Sequence, residues 1–80
     1  MSNAWRFRTT WNGSDVWVYS LSEPSARRNE IPGPASEAEP VEMPGDVEVA
    51  FGYTNGSSKP PAAVMASCDS GDVVEVFNID

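Results

Sequence analysis

The most constraining stretch of this 80-residue chain runs from Trp5 to Leu21. It reads Trp-Arg-Phe-Arg-Thr-Thr-Trp, then Asn12-Gly13-Ser14-Asp15, then Val-Trp-Val-Tyr-Ser-Leu. Two β-prone runs flank an Asn-Gly pair. That pair is the strongest short-range hairpin signal, because both residues accept the positive φ that a tight turn needs. All three tryptophans fall in this stretch, with Phe7 and Tyr19. Large aromatic side chains bury the most area per residue. A small domain that carries them in one hairpin must therefore pack its other strands on that hairpin.

The turn length decides which side chains share a face. A two- or four-residue loop puts Trp5, Phe7, Thr9 and Trp11 with Val16, Val18 and Ser20. Arg6 and Arg8 then face Trp17 and Tyr19, where cation–π stacking contributes about 0.5–1 kcal/mol per exposed pair. A three-residue loop instead gathers Trp5, Phe7, Trp17, Tyr19 and Leu21. A one-residue slip flips every side chain, so the alternatives are exclusive. The second collects more apolar area and is the expectation.

Residues 22–46 interrupt the pattern with Pro24, Pro32, Pro34, Pro40 and Pro44. Proline lacks the amide that a ladder needs, so this stretch reads as a long Pro- and Glu-rich loop. Ser22 is placed to cap a short helical turn through Asn29. Glu37, Glu39 and Glu42 line its extended, solvated part. After Gly45-Asp46, the residues Val47, Val49, Phe51 and Tyr53 alternate with Glu48, Ala50 and Gly52, which is strand periodicity. Thr54 to Pro61 is a loop by composition. Ala62 to Cys68 is a strand of small residues, suited to close approach by another element. Asp69-Ser70-Gly71-Asp72 is a turn. Val73 to Ile79 is apolar on both faces, as a central or covered strand would be. The expected fold is all-β: a single domain spanning 1–80, with antiparallel strands near 4–11, 15–21, 46–53, 62–68 and 73–79 curled into a small barrel or sandwich. Trp5, Phe7, Trp17, Val49, Phe51 and Phe77 are the expected core.

Several function classes are argued against by what the chain contains. A single cysteine rules out an internal disulfide framework. With no histidine, the commonest metal ligand and general base are missing. Cys68 precedes an acidic turn and has no base to make a thiolate, so it reads as a small packing residue. Asp69 and Asp72 fall short of a calcium loop and read as turn residues. Asn12-Gly13-Ser14 and Asn55-Gly56-Ser57 match the N-glycosylation pattern but are ordinary turn sequences. No apolar run spans a membrane, and no apolar h-region marks a secretory signal. The expectation is a cytoplasmic, non-catalytic monomer with no cofactor or metal.

Charge is the remaining signal. The chain carries −7, with a pI near 4.2. Residues 1–28 hold Arg6, Arg8, Arg27 and Arg28 against Asp15 and Glu23, a balance of +2. Residues 29–80 hold ten carboxylates against Lys59, a balance of −9. Arg6, Arg8, Trp17 and Tyr19 form a small basic-aromatic group, but the overall charge repels phosphates. Direct nucleic-acid binding is therefore not expected. An acidic surface suits a basic protein partner. The candidate partner-binding residues are Glu37, Glu39, Glu42, Asp46, Glu48, Asp69, Asp72 and Glu75.

In size, acidity and lack of catalytic groups, the whole chain resembles the small inhibitors encoded by phages and mobile elements, the anti-CRISPR proteins in particular. Several of those resemble DNA in charge and occupy basic surfaces of an effector complex. The resemblance implies an inhibitor that acts in a host cell on the basic, nucleic-acid-binding surface of a CRISPR effector and blocks target DNA binding. The competing expectation is a small β structural or adaptor module of a phage or larger assembly, pairing through sheet edges.

Overall fold

The computed structural model describes residues 2–21, 38–53 and 62–77. In chain order the elements are β1 (Ala4–Trp11), β2 (Ser14–Ser20), β3 (Glu39–Val41), α1 (Gly45–Tyr53), β4 (Ala63–Ser67) and β5 (Val73–Phe77). The strands form one sheet in the order β3-β1-β2-β4-β5, with every neighbouring pair antiparallel. β3 and β5 are its two edges, so the sheet is open and not closed into the expected barrel. Residues 22–37 and 54–61 lie outside the described residues, including the expected turn after Ser22.

The hairpin turn contains two residues. Asn12 and Gly13 adopt φ of 51° and 81°, the paired positive values of a type I′ turn, whose twist matches that of the strands. Trp11 therefore faces Ser14, Thr9 faces Val16, Phe7 faces Val18 and Arg6 faces Tyr19. This overturns the expected three-residue loop. The turn's own chemistry set the register, outweighing the gain from collecting aromatics on one side.

That register divides the core between the two faces of the sheet. On one face Phe7, Val16, Val18, Ala63 and Met65 are buried together, with Trp11 and Phe77 packed at their margin. On the other, Tyr19, Val64 and Ala66 meet Val47 and Phe51 from α1. β4 lies between β2 and β5, and Ala62 through Ala66 are all buried. Its small side chains let α1 approach, as its composition suggested.

The expected third strand, 46–53, is α1 instead. The Pro44 carbonyl accepts the Glu48 N–H at 3.0 Å, which is the first helical bond. Asp46 and Glu48 lie in the first turn, where the helix dipole favours negative charge. Val47, Ala50 and Phe51 follow the i, i+3, i+4 spacing of a helix face and contact the sheet. Val49, expected in the core, is 53% exposed. The valines carry strand preference, but packing on β4 overrides it. Phe51 is buried in either geometry, so it did not discriminate between them.

The described part of the 22–46 stretch, residues 38–46, is not all loop. Glu39–Val41 pairs with Ala4–Arg6 as β3, and the Asn3 side chain accepts the Met43 N–H at 2.9 Å. A three-residue edge strand tolerates Pro40 because only one of its sides needs donors. β5 is the other edge and so is not central; the alternative, a covered strand, holds on one face, where α1 packs on Val73 and Val76. Met65 pairs with Glu75 and Ala66 with Val73, so Val74 is bulged out of the ladder. The bulge shifts the alternation. Val73 and Val76 reach the α1 face, while Val74 is 49% exposed.

Candidate functional site

The described residues hold eight carboxylates against two arginines, Arg6 and Arg8. Both arginines lie on β1, on the face that carries α1, with Trp17 between them. The Arg6 guanidinium lies 3.9 Å from the centroid of a Trp17 ring and that of Arg8 lies 6.0 Å from it. Arg6 also donates to Glu39 on β3 at 3.1 Å, and Arg8 to Asp15 at 2.9 Å. Burial is the largest single influence on Arg6 and disfavours its charge, but hydrogen bonds to Tyr19 and Glu39, with the charge attraction to the same two groups, together outweigh it and hold its pKa above the ordinary value. Arg8 is raised chiefly by its bond to Asp15. The basic-aromatic group thus exists as a packed row whose cations already face carboxylates. A phosphate would have to compete with Glu39 and Asp15 for them.

The sequence-selected carboxylates fall in three places. Glu39 and Glu42 belong to β3 and the segment after it, and Asp46 and Glu48 to the first turn of α1. All four are exposed. Asp69 and Asp72 flank the β4–β5 turn and are also exposed. There the Ser67 hydroxyl accepts the Asp69 and Ser70 N–H groups at 3.2 and 3.3 Å. The Ser70 hydroxyl accepts the Asp72 N–H at 3.2 Å. Gly71 takes φ of 80°. The serines hold this turn, so its geometry does not depend on the two aspartate side chains. Glu75 stands on β5. Glu37 lies outside the described residues.

These groups do not form one flat array. Glu39 pairs opposite Arg6, on the α1 face. Glu75 pairs opposite Met65, whose side chain is buried on the reverse face. The two residues occupy opposite edges of the sheet, about 19 Å apart by strand spacing. The carboxylates of α1's first turn and the β3 segment form one group, those of the β4–β5 turn a second, and Glu75 stands apart.

Other chemistry is sparse. Cys68 is a half-buried free thiol whose backbone N–H donates to the Asp15 carbonyl at 3.1 Å, tying the β4–β5 turn to the hairpin. Among the described residues, no group of three or more Cys, Asp or Glu side chains is arranged to hold a metal ion. No described helix is long and apolar enough to cross a membrane. A cavity of about 240 Å³ opens on the reverse face beside Trp11 and Glu75. Sequence reasoning did not single it out, because β5's bulge and the hairpin register together create it. Comparison with protein-family models, with curated proteins and with solved structures found no match.

Proposed function

We propose that this chain is a non-catalytic binding protein that docks its acidic surface on a basic, nucleic-acid-binding surface of a protein complex and blocks it, as a monomer and in the manner of small acidic anti-CRISPR inhibitors. One observation carries the reading: both described arginines are engaged by Asp15 and Glu39, so little of their charge is left to offset Asp46, Glu48, Asp69 and Asp72, of which only Asp69 lies in the field of Arg8. Exposed carboxylates in two groups give a negative field that steers a basic partner and sets register. The split fits a curved or grooved partner better than a flat one.

The edge-pairing alternative draws less support. β3 is three residues long and contains Pro40. β5 carries the bulge at Val74, and the Glu75 carboxylate accepts the Val76 N–H at 3.2 Å. Short edges, proline and bulges are the devices that discourage strand addition.

The test needs grouped changes, because one exposed charge contributes about 1 kcal/mol or less. The partner is first captured from host lysate and identified. Asp46→Asn with Glu48→Gln forms one variant, Asp69→Asn with Asp72→Asn another. Each should slow association and flatten its dependence on salt between low and moderate ionic strength. If both bind like the parent and salt has no effect, electrostatic docking is wrong.

A further inference from the structure

The 240 Å³ cavity on the reverse face is lined by Trp11, Ser14, Val16, Ser67, Val74 and Glu75, among others. It is smaller than the roughly 300–1,000 Å³ pockets that enclose whole small-molecule ligands. Its scale is that of one side chain. Trp11 forms an aromatic wall. Phe77 meets Trp11 with centroids 5.4 Å apart and planes at 87°. Such an edge-to-face contact occupies at most one face of the indole. Glu75 supplies a carboxylate. Its Oε1 accepts the Val76 N–H, which orients the group and leaves most of its acceptor capacity unused. Among the described residues, no cationic side chain lines the cavity.

An indole beside an oriented carboxylate is the chemistry that holds a guanidinium. The ring attracts a cation over its face, and the carboxylate accepts parallel N–H bonds from a planar fork. A lysine ammonium offers neither the plane nor the fork. We infer that the Trp11–Glu75 cavity receives an arginine side chain of the basic partner. This rests on the acidic-docking reading and names the side chain that anchors it. Charge complementarity supports it, since the chain carries −7 and the cavity a carboxylate. Arginine and tryptophan are enriched among the few residues that dominate interface energetics.

The probe is N-acetyl-arginine amide, a single guanidinium, titrated into the ¹⁵N-labelled protein. The indole N–H of Trp11 is assigned with Trp11→Phe. Its signal and the amides of residues 74–76 should move along one saturating curve. Glu75→Gln, at an exposed position, should weaken binding about five- to tenfold. Val74→Lys, which adds the chain's own cation to the lining, should abolish the shift while leaving the fold's amide pattern intact. N-acetyl-lysine amide should bind several-fold more weakly. A tetra-arginine peptide separates the two readings. If it moves the amides of Asp46, Glu48, Asp69 and Asp72 but leaves Trp11 and Glu75 still, the cavity inference is overturned and acidic docking survives. If it moves nothing, both fall. Equal binding to Glu75→Gln and to the parent also overturns the inference.

Discussion

Gly13 and Gly52 show how the same residue type serves opposite backbone needs. Gly13 sits at φ of 81° in the hairpin turn, and nothing lies within 4 Å of where a Cβ would stand. Replacement by alanine meets no clash, only the left-handed conformation, which costs an L-residue roughly 1–2 kcal/mol. Gly13→Ala should lower Tm by about 4–16 °C, because 1 kcal/mol corresponds to about 4–8 °C in a domain this size. Gly52 lies in α1 with equal space around it and no positive φ. There alanine loses less backbone entropy and favours helix by about 0.5–1 kcal/mol. Gly52→Ala should raise Tm by a few degrees. Thermal melts of both variants check the pair, and the same sign for both would contradict the turn or the helix.

α1 is where residue pattern and element type part company. In a strand, Val47, Val49 and Phe51 would share one buried face. In the helix, Val47 and Phe51 are buried and Val49 is 53% exposed. Phe51→Ala should cost about 3–5 kcal/mol, the range for a buried phenylalanine. That approaches the whole stability of a small domain, roughly 5–10 kcal/mol. Val49→Lys should change stability by no more than about 0.5 kcal/mol, as surface substitutions do. Chemical denaturation measures both. A loss at Val49 comparable to that at Phe51 would return the segment to a strand. The helix was readable from Pro44, from the acidic residues of the first turn and from the 47, 50, 51 spacing, all of which are N-terminal or facial helix signals. Alternating valines masked it, because a nine-residue window satisfies both periods in part.

For the molecule as a whole, net charge opposes compactness. At −7, like charges repel more in the folded state than in the expanded one. Among the described residues, the surface ion pairs Arg6–Glu39 and Arg8–Asp15 contribute little against this. Sodium chloride shortens the Debye length from about 30 Å at 0.01 M to about 8 Å at 0.15 M. Tm should therefore rise between these concentrations, whereas binding to a basic partner should weaken over the same range. Scanning calorimetry at the two salt levels checks the first half. A falling Tm would mean that ion pairs outweigh general repulsion.

The sequence alone determined the hairpin, the boundaries of β1, β2, β4 and β5 to within a few residues, the acidity, and the small-residue character of β4. Each follows from local chemistry: Asn-Gly accepts positive φ, alternation marks a half-buried strand, and charge is additive. Tertiary structure decided the rest. The hairpin register followed from the two-residue turn and not from aromatic area. Residues 45–53 became helical because Val64 and Ala66 of β4 offer a surface on which a helix buries Val47 and Phe51. β3 formed within the proline-rich stretch because β1 offered an unpaired side, and a bulge at Val74 turned an apolar segment into an edge. The distribution of carboxylates over two faces and the cavity beside Trp11 depend on which strands become neighbours. Strand order is a long-range choice, and periodicity within one segment carries no information about it.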